Sequence, residues 1–360
     1  MNITKTSLLK AMKACSPGVD AGHAIIEGTD TFVFSGRKIH SYNDHISVTV
    51  PVEVDEDING VVKSKDFYAL VSKFKEDEIT IREKDGKWRF KNGKTRGSMT
   101  LLEDAISQYI KDLNLDKLDW KEIPEGFFTG LSLCFISANH SPHAGIYIRE
   151  KLMVSTDLRR LNYYDLPEEM ETFYLTDASA RELMKFDGLN RYCAAEGWIH
   201  FSTADGVVFS ARSKDLETYP YDGVVKKRGM AKTDKGDLQG SLPAGISEAL
   251  DRVSTLSRVF NEGDTEGVRI TFNKESLELY SERETGTVAE EVKLDKAFKE
   301  DVNLTIWVDA HFLKEAVKKS MGFFIKKMGT KNAENQVVET PVLVFSATNY
   351  AQIVATIVPE

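Results

Sequence analysis

The sequence predicts an α+β fold in which one domain is repeated three times along 360 residues. Three observations predict it: an element order that recurs, helices that fall into register, and charged stretches where the repeats would join. Each third reads as helix, strands, helix, strands. With 41% hydrophobic and 29% charged residues the chain can bury several cores, and its composition lies far from that of a disordered protein.

In the first third, Leu8, Leu9 and Met12 recur at helical spacing, and Pro17-Gly18 ends that helix. Alternating runs at 24–28, 31–35 and 45–52 read as strands. A helix at 64–74 follows, then strands at 78–82 and 87–90 about an Asp85-Gly86 turn, and another at 95–101. The second third gives a helix at 126–138, strands at 146–149 and 151–155, a helix at 176–186, and strands at 192–195, 198–202 and 207–211. The last third gives a helix at 244–258, strands at 268–272, 277–280 and 288–294, a helix at 309–319, and strands to the end.

The second helices overlay. Ser64, Thr176 and Asp309 each follow an apolar strand end and are residue types whose side-chain oxygen caps a helix. Nine residues on stand Lys73, Lys185 and Lys318, 112 and 133 residues apart, offsets that bracket a third of the chain. A capped helix ending in lysine also arises by chance, so the overlay needs the linkers beside it. The stretch 112–124 is charged and ends in proline, and 226–240 carries four lysines, one arginine and three glycines. Domains of 1–120, 121–235 and 236–360 follow.

The 47 basic against 56 acidic residues leave a net charge of −9, which excludes the simple profile of a uniformly basic DNA-binding domain. Counted over 4–14, 63–75, 126–138, 176–186, 244–258 and 309–319, the predicted helices with their flanking residues nevertheless sum to +7. If they share a surface, that surface could follow a phosphate backbone while the remainder repels it; otherwise these lysines are solvated faces.

Cys15, Cys134 and Cys193 lie far apart without CxxC spacing, suggesting neither a disulfide framework nor a thiolate metal site, and a reducing cytosol. Residues 1–14 carry Lys5, Lys10 and Lys13 and no long apolar run, unlike a signal peptide, and no stretch reaches the length of a membrane span. The expectation is a soluble cytoplasmic protein with no membrane partner. No phosphate-binding loop, nucleophile elbow or dinucleotide fingerprint is present. His140 and His143 stand three apart around Pro142, a weak metal pattern, and Asp55-Glu56-Asp57 reads as an acidic loop. A metal-dependent hydrolase built on the two histidines would carry bound metal; no catalytic residue, cofactor or metal site is expected.

Three stretches together resemble one family. STDLRRL (155–161) is similar to the ATDGHRL signature of the bacterial DNA polymerase sliding clamp, the beta subunit of the replicative polymerase. ARSKDLETYPYDGVV (211–225) resembles the stretch closing that family's second domain. ALDRVSTLSR (249–258), VRITFNKESLELYSERETGTVAEEVKL and VDAHFLKEAVKK resemble its third. The resemblance runs from LLKAM at Leu8 to the end.

It implies a clamp fold, with two helices per domain on the inner wall of a ring, sheets outside, and two chains closing head to tail as a homodimer around double-stranded DNA. The implied DNA contacts on the inner helices are Lys10, Lys13, Lys73, Arg181, Lys185, Arg252 and Lys318. A pocket between the second and third domains would receive peptides from the replicative DNA polymerase, the clamp loader and other clamp-binding proteins. Its matching positions are Thr156, Leu158, Arg159, Arg160, Leu161, Pro220, Val225, Val358 and Pro359. The dimer contact would include Thr255 and Leu256. Leu158 and Arg159 replace the family's glycine and histidine, and the chain ends at Pro359-Glu360 where the family continues with a Met-Arg-Leu-like tail, as in a divergent or phage-encoded member. The alternative is a clamp-like binding module that does not encircle DNA.

Overall fold

The computed structural model describes residues 1–20, 22, 26–138, 144–213, 223, 238–260, 265–299, 302–331 and 337–357. Its contacts form two compact units, Met1–Phe127 with Glu169–Leu216, and Phe128–Glu168 with Glu217–Glu360.

The first unit opens with β1 (Asn2–Thr4) and α1 (Lys5–Cys15). Leu8, Ala11, Met12 and Cys15, spaced as one helical stripe, are its buried face, and Thr4 caps it by accepting from the Ser7 amide at 3.1 Å. A 3-10 turn at Ser16–Gly18 ends it. Gly18 is required there, because a Cβ would lie 2.4 Å from the Ser41 hydroxyl.

An eight-stranded antiparallel sheet follows. Its order is β5 (Gly60–Lys63), β2 (Thr31–Ser35), β3 (Lys38–Tyr42), β4 (Ile46–Pro51), β14 (Val208–Arg212), β13 (Trp198–Thr203), β12 (Leu189–Ala195) and β9 (Lys121–Glu122). β1 joins β6 (Glu78–Lys84), β7 (Lys87–Asn92) and β8 (Thr95–Thr100) in a second sheet. α2 (Ser64–Ser72) packs beside α1, and α5 (Asp177–Leu183) completes the main helices of this unit. The core against the second sheet is aromatic: Phe34 and Trp88 meet edge to face at 4.8 Å, with Phe67 and Phe90 around them.

The second unit holds α4 (Phe127–Phe135) from Phe128 on and a six-stranded sheet in the order β10 (Gly145–Thr156), β11 (Arg160–Thr176, of which Glu169 onward counts with the first unit), β23 (Tyr350–Ala355), β22 (Val337–Ser346), β21 (Gly322–Lys331) and β15 (Leu238–Ser241). Another sheet holds β16 (Arg258–Phe260), β17 (Thr265–Phe272), β18 (Ser276–Arg283) and β19 (Gly286–Lys293), with β20 (Leu304–Asp309) on β17. α6 (Ile246–Val253) and α7 (Ala310–Val317) pack together. Both bury an apolar stripe, Ile246, Ala249, Leu250 and Val253 on one and Ala310, Leu313, Ala316 and Val317 on the other. Phe272, Phe323 and Phe345 anchor the core beneath them.

The fold is α+β, as read from the sequence, with several differences in detail. Two of the three overlaid caps act as caps. Thr176 accepts from the Ser179 amide at 3.1 Å, and Asp309 accepts from His311 and Phe312 at 2.9 and 3.1 Å. Ser64 instead donates its hydroxyl to the Asp30 carbonyl at 2.7 Å, and Lys63 takes the cap position without a side-chain bond. Residues 26–28 of the expected strand 24–28 form turns, with Gly28 at φ +85°; positions 24 and 25 lie outside the described residues.

The strands expected at 146–149 and 151–155 are one strand, β10, with Glu150 at φ +55° in its middle. The linker expected at 112–124 is not bare: it holds a 3-10 turn at Leu115–Lys117 and β9, which pairs with β12. Just before it, α3 (Ser107–Asp112) lays Ile106, Ile110 and Leu113 against Val33, Tyr42, Val61 and Trp198. Of the linker expected at 226–240, residues 226–237 lie outside the described residues.

Candidate functional site

The tight turn between β10 and β11 brings Thr156, Leu158, Arg159, Arg160 and Leu161 together. Asp157 organises it. One of its carboxylate oxygens accepts the amides of Arg159 (3.1 Å) and Arg160 (2.6 Å), and the other accepts Arg160 Nε at 2.8 Å. The Thr156 hydroxyl donates to the Arg160 carbonyl at 2.7 Å and accepts the Leu158 amide at 3.1 Å. These bonds hold Leu158 at φ +72°, a left-handed conformation that glycine adopts freely and leucine does not, and leave its side chain 65% exposed.

Arg160 is drawn inward. Its side chain is 8% exposed, paired with Asp157 and with Glu315 of α7. Another of its nitrogens donates to the Ile136 carbonyl at 3.1 Å, and its guanidinium lies 3.8 Å from the centre of the Phe312 ring. Leu161 is buried at 5% exposure and stands opposite Ile353 of β23. The chain end returns to this turn, with the Ala355 amide donating to the Arg159 carbonyl at 2.9 Å and the Ile357 amide to Trp307 of β20 at 2.8 Å. Pro220, Val225, Val358 and Pro359 lie outside the described residues. Phe312 and Glu315 complete the turn from 152 and 155 residues away, and nothing local in the sequence marks them.

The helix cations fall into two classes. Lys10 and Lys13 of α1 and Lys73 at the end of α2 are exposed, with no carboxylate in ion-pair range among the described residues. Arg181 stands 3.8 Å from Asp177, Lys185 2.6 Å from Glu182, and Arg252 forks onto Glu290 at 2.5 and 2.9 Å. That fork lowers the Glu290 carboxyl below the usual range. Lys318 is exposed at the end of α7, beside a helix whose Lys314 pairs with Asp251 at 2.7 Å. Thr255 and Leu256 sit in a 3-10 turn after α6, where the Thr255 hydroxyl donates to the Arg252 carbonyl at 2.7 Å.

The residues weighed for chemistry have structural duties. Asp55 accepts from the amide and side chain of Asn2 at 2.7 and 2.9 Å, Glu56 holds the terminal amine at 3.0 Å, and Asp57 pairs with Arg37 at 3.3 Å. Cys15 and Cys134 are buried, and burial pushes their thiols far up. His140 and His143 lie outside the described residues; among those described, no His, Cys, Asp or Glu cluster could hold a metal, and no helix is long and apolar enough to cross a membrane.

An α+β chain whose helices sit against antiparallel sheets defines a broad class, and comparison with solved structures narrows it. The fold is that of the bacterial DNA polymerase III beta clamps. The beta chain from Streptococcus pneumoniae TIGR4 matches at 15% identity, covering 99% of both chains, with a TM-score of 0.80. The sliding clamp from Bacillus subtilis matches at 17% identity over 100% of this chain and 99% of its own, with a TM-score of 0.79. The Helicobacter pylori beta clamp bound to a DNA ligase peptide matches at 15% over the whole of both chains, with a TM-score of 0.76. No protein-family model matches the sequence, and no curated protein matches it significantly.

Proposed function

We propose that the chain is a DNA polymerase processivity factor: a non-enzymatic sliding clamp of three domains, 1–120, 121–235 and 236–360, that closes as a homodimer around duplex DNA. It would hold DNA without sequence preference, be opened by a clamp loader, and tether the replicative polymerase and other peptide-bearing partners. The observation that carries this reading is the correspondence with solved clamps over nearly the full length of both chains.

Three features support it. A clamp of this fold is solved with a DNA ligase peptide, and here the 155–161 turn, which resembles the family's pocket, meets the chain end beside an exposed Leu158. β8, at the edge of its sheet, is exposed along nearly its whole length, and β16 and β19 are edges of theirs; such edges can pair with a second copy. α1 carries Lys5, Lys10 and Lys13 with no acidic residue, in a chain of net charge −9.

Light scattering combined with retention on circular DNA tests the reading. It expects twice the chain mass, and protein that stays on nicked circular DNA but runs off once the circle is cut. Peptide binding by a monomer that circular DNA does not retain would replace it with the non-encircling module.

A further inference from the structure

We infer that duplex DNA is gripped chiefly by the α1–α2 pair, through Lys10, Lys13, Lys65, Lys73 and Tyr68, and only weakly by the other helices. This rests on the clamp reading above and says which part of the molecule touches the phosphates.

The two helices run antiparallel. Lys5 Nζ at the start of α1 donates to the Phe74 carbonyl just past α2 at 2.6 Å, and the Thr6 amide and hydroxyl both donate to Asp77. Lys10 and Lys13 therefore lie along the outer face of α1, opposite its buried stripe, with Lys73 towards one end of the pair and Lys65 towards the other. All four are exposed, and none has a carboxylate in ion-pair range among the described residues. α1 has no acidic residue at all, and α2 has Asp66 alone. Tyr68, one turn after Lys65, is 41% exposed; its carbonyl accepts the Ser72 hydroxyl, but its phenol has no hydrogen-bond partner among the described residues. An exposed phenol in a row of ammonium groups is suited to donate to a phosphate oxygen.

The other implied contacts differ in kind. Arg181, Lys185 and Arg252 each face a carboxylate of this chain, and Lys314 faces Asp251. A cation beside its own carboxylate presents a dipole rather than a net charge, so it attracts phosphate weakly at a distance and must break or share its pair on contact. Lys318 and Lys319, just past α7, are the exceptions, exposed and without an ion pair among the described residues.

Fluorescence anisotropy on a duplex oligonucleotide, across a series of salt concentrations, tests this with the full chain. Each phosphate contact contributes about 0.9 to the slope of log affinity against log salt. Replacing Lys10, Lys13 and Lys73 together by Gln should lower that slope by about 2.7, whereas Gln at Arg181, Lys185 and Arg252 should lower it by less than about 1. Tyr68→Phe should weaken binding about fivefold without changing the slope, as loss of a neutral hydrogen bond does. Glu182→Gln with Glu290→Gln, which frees Lys185 and Arg252, should raise the slope. Equal losses from the two triple variants would overturn the inference and leave the clamp reading standing. Wild-type protein showing no salt-dependent binding to duplex would remove both.

Discussion

Replacing Arg160 by Met should destabilise the second unit by about 3 kcal/mol, the low end of the 3 to 5 kcal/mol expected when one partner of a buried ion pair is removed. Arg160 and Asp157 are both 8% exposed, so the carboxylate left behind cannot simply turn to water. Two terms add to the loss: the Ile136 carbonyl loses its donor, and the Phe312 ring loses the cation stacked on it. One term reduces it, since Asp157 keeps the amides of residues 159 and 160. Glu315, at 28% exposure with His311 3.4 Å away, is the more tolerant partner. Urea unfolding followed by circular dichroism measures the change. The double variant Arg160→Met, Glu315→Gln should cost less than the sum of the single ones, because both remove the same pair. A loss below about 1 kcal/mol for Arg160→Met would refute the claim that this arginine holds the turn together.

Three further outcomes follow from particular contacts. His40, half-buried beside Thr49, and His200, buried beside Ser210, both in the eight-stranded sheet, have pKa values pulled from 6.5 to about 4, chiefly by desolvation. The folded state needs them neutral while the unfolded chain protonates near 6.5. Stability is therefore complete above that pH and is lost as pH falls towards 4, by up to about 3 kcal/mol per histidine, and His200→Gln should flatten a pH series of melting curves. Ser41→Ala and Ser281→Ala each remove a buried hydroxyl donor to a helix-end carbonyl and should cost about 1 to 2 kcal/mol in chemical unfolding. Leu158→Gly should raise stability by about 0.5 to 1 kcal/mol by relieving the left-handed strain; a fall in melting temperature would mean that the leucine side chain packs.

All the helices but the short α3 were legible because each buries a stripe that recurs every three or four residues, and the short hairpin strands because Asp85-Gly86 and similar pairs mark their turns. β11 was not, since Pro167, Glu168 and Glu169 interrupt its apolar pattern while the strand continues through them. β3 escaped for another reason: Lys38 to Tyr42 has no regular alternation, because its central strand position buries residues on both faces. At the site, the 155–161 turn could be recognised as a motif, but the inward course of Arg160 could not, because Phe312 and Glu315 lie on a distant helix. The pairing of the helix cations was half visible. Asp177 with Arg181 and Glu182 with Lys185 are helical neighbours in sequence, whereas Arg252 finds Glu290 only through the fold.

The contact units and the expected repeats divide the chain differently, and the sheets explain why. β4 from the first third pairs with β14 from the second, and β11 from the second pairs with β23 from the third, so compactness follows shared sheets across the expected seams at 120 and 235. The proposed repeat finds support instead in a local bond made three times. Ser41, Ser155 and Ser281 each donate a buried hydroxyl to a carbonyl at the end of a helix, from Cys15, Cys134 and Val253 respectively. Those carbonyl residues stand 119 residues apart in both intervals, close to a third of the chain, although two are cysteines and one is a valine. A hydroxyl at that point satisfies an orphan carbonyl that the helix cannot pair itself, so the tie is selected by backbone geometry rather than by neighbouring side chains. Its recurrence supports three copies of one domain more directly than the capped lysine helices do, because a cap and a terminal lysine suit any helix, whereas this bond needs the same strand to pass the same helix end each time.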